Sequence, residues 1–179
     1  MNKIEWSVII NEISQNVKSG SHDTTTDTNG RTYDVLAGPV VDNGVKVWFV
    51  SNNITPEMLL DNIYYAYEDK EGNVIVDTSQ SLSEHISKDR ELESALLDYY
   101  LSIPLVNECI EMEGTLSLFV NKELPVENYT DEEYQVAVLL DQEITKVLNN
   151  TLFRYLHPEK VLEQYRSDLI EPIHSFLEL

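Results

Sequence analysis

Negative charge is the feature that most constrains this chain. Asp and Glu total 32 while Lys and Arg total 12, which gives a formal net charge of −20 over 179 residues. Carboxylates are almost never fully buried without a partner, so the fold must carry them on its surface. Such a surface repels nucleic acid and anionic membranes and attracts basic surfaces over about 8 Å, the Debye length at physiological salt. The charge therefore argues against direct nucleic-acid or membrane binding and favours a basic protein as partner.

The composition predicts one folded domain. Hydrophobic residues make up 42% of the chain, which is too many for a disordered acidic tail. We expect a single domain over 1–179, with a subdivision into a mixed part at 1–88 and a helical part with one hairpin at 89–179 left open. Cys109 is the only cysteine, so no intramolecular disulfide or cysteine-cluster metal site is expected. Without a signal peptide or an apolar run of membrane length, the sequence predicts a cytoplasmic protein.

The beginning of the chain predicts one helix and one hairpin. Apolar residues at helical spacing predict an amphipathic helix over 3–18 that ends at Gly20. The polar, Ser/Thr/Asn-rich segment 19–31 is expected to be a mobile loop. Strands are predicted at 33–41 and 45–50, because an Asp-Asn-Gly turn between them supplies the positive φ angles of a tight hairpin.

The next segment is predicted to be mostly helical. Thr55, followed by Pro and Glu, is a good helix start, so we expect a helix over 55–67. A short strand is predicted at 73–77. Ser81 and Asp89 are candidate caps for two further helices.

The C-terminal half contributes a second predicted hairpin and further helices. Strands are expected at 109–112 and 115–120, and Thr130 begins a long helix with an apolar stripe that reaches Tyr155. Another helix should precede Pro172. The fold class predicted is α+β, with a small mixed or antiparallel sheet of short hairpins packed by amphipathic helices and a helix-rich C-terminal half.

Acidic residues concentrate in one part of the chain. Residues 61–143 hold 20 acidic and four basic residues, a net charge of −16. Carboxylates three or four apart on a helix stand ~5–6 Å from each other, and duplex DNA presents one negative charge per ~1.7 Å of axis. A folded surface of this kind could occupy a nucleic-acid-binding groove in place of phosphates. Neighbouring tyrosines are favoured interface anchors. The predicted partner-binding residues are Tyr64, Tyr65, Tyr67, Glu68, Asp69, Glu71, Asp89, Glu91, Glu93, Asp98, Glu111, Glu113, Asp131, Glu132 and Glu133.

The same acids also have a plainer interpretation. Acids in a first helical turn, such as those at 131–133, complement the helix dipole and need no partner. The sequence alone leaves open whether the acidic region is an interface or a solvated face.

Patterns typical of catalysis and metal binding are missing from the sequence. His22, His85, His157 and His174 are far apart in sequence, and we expect each to be structural or at the surface. Glycine-rich phosphate loops and nucleophilic serine motifs do not occur. Cys109 is expected to be a buried thiol. We therefore predict no catalytic residue, no metal and no cofactor.

Four short motifs follow one another in the first half of the chain. They are a helix led by Trp6, the sequence YDVLAGPVVD at 33–42, ITPE at 54–57, and a strand at 74–78 that runs into Thr78 and a helix with Leu82. In this order, over about 5–86, they resemble the C-terminal half of a bacterial family of unknown function related to ADP-ribosyltransferases.

The chain departs from that family in three respects. The family's first NAD-contacting strand has no room before Trp6, and Asn73 stands where the family usually has Gln. The family's QxE or ExE element is missing from 5–86. The resemblance therefore implies a transferase-like sheet reused as a scaffold without activity.

The leading hypothesis is a non-enzymatic acidic protein that binds and inhibits a basic partner. The partner would be a nucleic-acid-processing enzyme such as a nuclease, by analogy with inhibitors of phages and mobile elements that mimic DNA. The alternatives are an inactive or divergent ADP-ribosyltransferase-like protein and a toxin-neutralising immunity protein. The long C-terminal helix could pair with a second copy, so a homodimer also stays open.

Overall fold

The structure, a computed structural model, describes residues 3–20, 23–123 and 129–178. The chain forms two compact units, each of which takes two pieces of the sequence. Unit 1 consists of Met1–Tyr99 and Phe153–His157, and unit 2 consists of Tyr100–Leu152 and Pro158–Leu179. The described residues have an α+β fold with a helix-rich C-terminal half, as the sequence predicts.

Unit 1 is built on a five-stranded antiparallel sheet in which each strand pairs with the next in the chain. The strands are β1 (Asp23–Thr26), β2 (Thr32–Asp42), β3 (Val45–Ser51), β4 (Tyr64–Glu68) and β5 (Val74–Ser81). This meander brings sequence neighbours together, so the sheet needs no long crossover.

The β2–β3 hairpin confirms the predicted turn. Asn43 has φ 52° and Gly44 has φ 83°, the positive angles that a tight hairpin turn requires. The register shifts between Ala37 and Val40, which places Pro39 at an irregularity where its missing N–H is tolerated.

Helix α1 (Trp6–Ser19) also confirms its prediction and covers one face of the sheet. It ends where Gly20 adopts the left-handed conformation, with φ 68°. The ring centroids of Trp6 and Phe49 on β3 lie 5.4 Å apart, and Ile9 and Ile13 are fully buried. These residues form the core of unit 1.

The predicted mobile loop at 19–31 contains a strand instead. Residues 23–26 read Asp-Thr-Thr-Thr, and β-branched threonines favour the extended conformation in which β1 pairs with β2. Asp27 closes the turn, because its Oδ1 accepts from the N–H groups of Asn29 and Arg31, both at 2.9 Å.

The predicted helix over 55–67 is wrong. Thr55 does act as a cap, since its Oγ1 accepts from the N–H of Met58 at 3.1 Å. Met58 then adopts φ 48°, which ends any helix, and a single 3₁₀ turn follows at Leu60–Asn62. Residues 64–67, with the sequence Tyr-Tyr-Ala-Tyr, belong instead to β4, which pairs with β3. Aromatic side chains pack well on a sheet, and this strand pairing prevails over the local preference for a helix.

Two short helices end the continuous part of unit 1 as the sequence predicts. They are α2 (Leu82–Ile86) and α3 (Arg90–Leu101). Ser81 Oγ accepts from the N–H of Glu84 at 3.3 Å, and Asp89 Oδ1 accepts from the N–H of Glu91 at 2.9 Å. Both caps satisfy N–H groups that a helix start leaves without partners.

Unit 1 is completed by a segment that returns late in the chain. The N–H of Leu156 donates to the carbonyl of Met58 at 2.8 Å, and the N–H of His157 donates to the carbonyl of Glu57 at 3.0 Å. The N–H of Leu60 donates to the carbonyl of Arg154 at 2.8 Å. Phe153–His157 therefore pairs with the segment that joins β3 to β4.

Unit 2 is helical in its described part. Its helices are α4 (Pro104–Val120), α5 (Asp131–Thr151), α6 (Pro158–Leu162) and α7 (Glu171–Leu177), with a 3₁₀ turn at Glu163–Tyr165 and a π turn at Arg166–Ile170. The predicted start of α5 is confirmed, since Thr130 Oγ1 accepts from the N–H of Glu133 at 3.1 Å. The helix ends at Thr151 rather than at Tyr155. Helical segments precede Pro172 as predicted, from α6 to the π turn at Arg166–Ile170, and Pro172 itself lies in the first turn of α7.

The predicted hairpin around Gly114 is wrong, because this region is the single helix α4. Its buried residues recur at helical spacing, and Gly114 is tolerated at a cost of about 1 kcal/mol. Cys109 is buried on this helix rather than on a strand. Phe119 packs edge-on against Phe176 of α7, with ring centroids 5.6 Å apart. Burial of the apolar side of α4 therefore stabilises the helix by more than Gly114 destabilises it.

Gly38 gives a stability prediction. It has φ 105°, and a Cβ at this position would lie 2.7 Å from the carbonyl oxygen of Val47. We expect Gly38→Ala to lower the free energy of unfolding by about 2–3 kcal/mol, from backbone strain and this contact together. Gly72→Ala is the matched control, since Gly72 has φ 83° with nothing within 4 Å, and should cost only about 1 kcal/mol. Urea denaturation measures both, and equal losses would contradict the prediction.

Candidate functional site

The three candidate tyrosines of β4 lie on opposite faces of the sheet. The ring centroid of Tyr65 lies 6.1 Å from that of Phe49, 5.5 Å from that of His85 and 6.2 Å from that of Tyr67. Burial raises the pKa of Tyr65, and the charge of Asp42 raises it further. Tyr64 lies on the other face, against the buried cluster that includes Ala66. All three tyrosines are half-buried in sheet packing, so they do not form one exposed patch.

The acids of the β4–β5 turn divide by role. Asp69 Oδ1 accepts from the N–H groups of Glu71 and Asn73, both at 2.9 Å, and so closes the turn. Glu68 is half-buried, and Glu71 is exposed. Asp69 has a structural role, which leaves Glu71 as the exposed carboxylate of this group.

Asp89, at the start of α3, also has a structural role. Its Oδ2 accepts from the indole Nε1 of Trp6 at 2.9 Å, while its Oδ1 caps the helix. The carboxylate thereby ties the first helix of unit 1 to the start of α3.

The remaining candidate acids of α3 form a distinct surface, the α3 face, defined by Glu91, Glu93, Leu97 and Asp98. The carboxylates of Glu91, Glu93 and Asp98 are exposed, and none makes a hydrogen bond or ion pair with another described residue. Leu97 is 41% exposed. At 100° per residue, it lies between Glu93 on one side and Glu91 and Asp98 on the other. The face is an apolar side chain bracketed by three free charges.

A groove runs beside the α3 face. It has a volume of about 560 Å³ and lies between the beginning of α1 and α3. Ile4 and Ala95 give it apolar lining, while Glu91 and Asp98 line it with carboxylates. Lys3 and Arg90 also line the groove and partly offset that charge. The α3 face is therefore adjacent to a concave surface, which favours contact with a protruding side chain.

A second cleft of unit 1, of about 430 Å³, contains His85. Its lining includes Trp6, Asp42 and Asp89, together with basic residues such as Lys88. Burial lowers the pKa of His85, and Lys88 lowers it further, although Asp89, Asp42 and Asp77 oppose the shift. The ring is therefore neutral at pH 7. Its Nε2 is buried and makes no hydrogen bond to a described residue.

The candidate acids of unit 2 also differ in their contacts. Glu113 accepts from Thr145 Oγ1 at 3.4 Å and so links α4 to α5. Glu111 is exposed and accepts from the side chain of Asn107, one turn earlier on the same helix, at 3.3 Å. In the first turn of α5, Asp131 and Glu132 are exposed, and Glu133 is half-buried.

The histidines and the cysteine have structural surroundings. His157 is 1% exposed and its Nδ1 lies 2.9 Å from Tyr99 Oη, which in turn lies 3.0 Å from Ser14 Oγ. His174 contacts the carboxylate of Glu108. Burial raises the pKa of Cys109 to about 11, which leaves an unreactive thiol at neutral pH. His22 lies outside the described residues.

Exposed apolar side chains are the part of the site that sequence reasoning missed. Leu97 on α3 and both Val136 and Leu139 on α5 lie on the polar side of their helices. The 3.6-residue period of a helix places these residues away from the buried apolar stripe, so the sequence could have identified them as exposed.

The described residues contain neither a metal-binding cluster nor a membrane-spanning helix. No group of three or more His, Cys, Asp or Glu residues there could hold a metal ion. No helix in the same residues is both long and apolar enough to cross a membrane. Comparison of the chain with family models, curated proteins and solved structures gives no match.

The two classes of carboxylate on α3 should differ in their contribution to stability. We expect Asp89→Ala to lower the free energy of unfolding by about 2 kcal/mol, because it removes the helix cap and the acceptor of the Trp6 indole. Glu93→Ala is the control and should change it by less than about 0.5 kcal/mol. Urea denaturation followed by circular dichroism measures both. A larger loss for Glu93→Ala would contradict the assignment of roles.

Proposed function

We propose that this is a non-enzymatic, cytoplasmic interaction protein that binds and inhibits a basic partner protein through the α3 face. The partner class that suits the surface is a nucleic-acid-processing enzyme such as a nuclease. The observation that carries the proposal is the set of three exposed carboxylates, Glu91, Glu93 and Asp98, around the half-exposed Leu97.

The charges of this face are available to a partner. A carboxylate that already caps a helix or closes a turn has its charge compensated, as Asp69 and Asp89 do. The carboxylates of Glu91, Glu93 and Asp98 make no such hydrogen bond with a described residue, although Lys3 and Arg90 partly offset the charge of the groove beside them. Free charges of one sign speed the encounter with an oppositely charged surface and give specificity.

The apolar centre of the face gives the contact its affinity. Interface energy concentrates in a few apolar or aromatic anchors surrounded by polar groups that exclude water. Leu97 has this arrangement, with acids on both sides. The face therefore has the two components of a docking site, an apolar anchor and a charged rim.

Inhibition follows from the position of the charges. Glu91 and Asp98 lie on one side of α3, about 10.5 Å apart along the helix axis at 1.5 Å per residue. A nucleic-acid-binding groove is lined with Lys and Arg side chains that contact phosphates. Carboxylates placed in that groove would occupy these side chains and exclude the nucleic acid.

Affinity capture tests the proposal. The immobilised protein is exposed to a bacterial lysate supplemented with nucleic-acid-processing enzymes and eluted with a salt gradient. We expect a basic enzyme to be released at about 0.3–0.6 M salt and to be displaced by duplex DNA. We expect the triple variant Glu91→Lys, Glu93→Lys and Asp98→Lys to lose this capture.

The control for the triple variant has the same change in net charge at other sites. It carries Asp61→Lys, Glu123→Lys and Glu178→Lys, all at exposed positions. It should retain the partner, with a somewhat lower elution salt because the long-range field is weaker. Equal loss of capture by both triple variants would show that net charge alone governs binding, which would overturn the role of the α3 face. Mass spectrometry of the eluate separates a nuclease inhibitor from a toxin-neutralising immunity protein.

A second candidate is an inactive or divergent ADP-ribosyltransferase-like protein. One observation favours it: Trp6 and Asp42, which belong to two of the motifs shared with that family, line the same cleft as His85. Its volume of about 430 Å³ is within the range of ligand sites. Calorimetry with NAD tests this candidate. Saturable heat that His85→Ala removes would support it, and no heat at millimolar NAD would overturn it.

A further inference from the structure

The sheet of unit 1 carries apolar side chains on both of its faces. Helix α1 packs on the face that carries Phe49, whose ring contacts that of Trp6. Strand β3 contains the run Val-Trp-Phe-Val, and β5 contains the run Val-Ile-Val. An antiparallel sheet with one face in water normally alternates apolar and polar residues, whereas a continuous apolar run is typical of a strand covered on both faces. The second face therefore has the composition of a covered surface.

This second face, the sheet face, is the side on which Trp48, Ala66 and Val76 lie in one row across β3, β4 and β5. Tyr33, Val50 and Ala66 form a buried cluster there. Among the described residues, the apolar side chains that pack against this cluster come from the sheet itself: Val35, Trp48, Tyr64, Val74 and Val76. All five are only half-buried. The sheet face thus leaves part of its apolar surface exposed to water, which favours contact with another apolar surface.

One row of the sheet face carries two opposite charges at its middle. Val41 on β2 pairs with Lys46 on β3, and Glu68 on β4 pairs with Val74 on β5. The register of β3 and β4, continued by one residue, places Lys46 beside Glu68. From β2 to β5 the row therefore consists of a valine, a cation, an anion and a valine.

The other charges of the sheet lie off this row. Three aspartates of the strands alternate to the face that carries Phe49: Asp34, Asp42 and Asp77. Asp23 shares the sheet face, but it belongs to the edge strand β1. In the β4–β5 turn, Asp69 is compensated by two N–H groups, and the exposed Lys70 and Glu71 have opposite signs. The centre of the sheet face is therefore apolar and close to neutral, although the chain carries a net charge of −20.

The pattern of the sheet face is complementary to itself. A twofold axis between β3 and β4, parallel to both, places β3 of one copy over β4 of the other and β2 over β5. The valines at the two ends of the charged row then meet each other, and Lys46 meets Glu68 of the second copy. In the next row Trp48 lies over Ala66 of the second copy, a large side chain over a small one. Strand β1, with Asp23, stays outside the contact.

We propose that the sheet face is the contact surface of a homodimer in which the sheets of two copies pack face to face. Aligned sheets pack about 10 Å apart with their inner side chains interdigitated. Charge complementarity selects a second copy, because each charge of the row meets its opposite, whereas Lys46 repels a basic partner. The inference is independent of the proposed function, since the α3 face is a different surface.

Sedimentation velocity of the full-length protein tests the proposal. We expect a dimer fraction that rises with protein concentration over about 5–200 µM, because a single sheet face is a small interface. Raising NaCl from about 0.1 to 0.5 M should increase the dimer fraction, since salt screens the repulsion between two acidic copies. Capture of a basic enzyme by the α3 face weakens with salt instead, so the two proposals fail separately. A protein that stays monomeric under all these conditions overturns the dimer.

Charge reversal locates the contact. We expect Lys46→Glu and Glu68→Lys each to weaken dimerisation at least about fivefold, because each places like charges opposite one another. If net charge alone governed association, Glu68→Lys would strengthen it, since this change makes the chain less acidic. An equimolar mixture of the two single variants should form a heterodimer, because every pair across the contact is then of opposite sign. Absence of that heterodimer would overturn the proposed pairing.

Two valines of the β2–β3 hairpin give a matched control. Val41 is 38% exposed and Val45 is 37% exposed, but Val41 lies on the sheet face and Val45 on the opposite face. We expect Val41→Ser to weaken dimerisation at least about threefold and Val45→Ser to leave it within about twofold. Circular dichroism checks that the variants fold. A dimer that persists in all sheet-face variants and is lost in Leu139→Ser would overturn the proposal, because α5 would then be the interface.

Discussion

The hydrogen bond from the indole of Trp6 to Asp89 is the interaction on which unit 1 depends. One carboxylate accepts the indole with one oxygen and caps α3 with the other, while the Trp6 ring packs against Phe49 of the sheet. A single buried ring therefore fixes α1, β3 and the start of α3 relative to each other. Side chains have fixed angular positions on a helix, so the orientation of the first turn of α3 also sets the direction of the side that carries Glu93 and Leu97.

The sequence predicts those parts of the fold that depend on local chemistry. The caps at Ser81, Asp89 and Thr130, the Asn43 turn and the end of α1 all follow from side chains that satisfy nearby N–H groups or adopt positive φ. The strand at 64–68 and the helix at 104–120 could not be predicted in this way. In both, the local signal was ambiguous, and pairing with β3 or burial in the core of unit 2 decided the structure.

The candidate site shows a similar limit of sequence reasoning. Acid content indicated a candidate region, but a count of carboxylates cannot separate those with internal partners from those without. Asp69, Asp89 and Glu113 are bound by backbone N–H groups, an indole or a hydroxyl, whereas Glu91 and Glu132 are not. The tyrosines next to these acids pack within the sheet, whereas Leu97 on α3 is half-exposed beside Glu93. Surface carboxylates indicate a candidate binding surface only after those with internal hydrogen bonds have been set aside.

The return of Phe153–His157 to unit 1 has a consequence for how the protein is made. Residues 57–60 form backbone hydrogen bonds with this segment, and all of Tyr100–Leu152 lies between the two in sequence. During synthesis on the ribosome, the pairing of residues 57–60 with Phe153–His157 can therefore form only after helices α4 and α5 have been synthesised. The entropic cost of closing this long intervening loop grows only slowly with the number of residues in it. The cost is lower still when the intervening residues have already folded into helices. The order of synthesis thus favours a sequence of events in which the inserted helices form first and the sheet unit is sealed last.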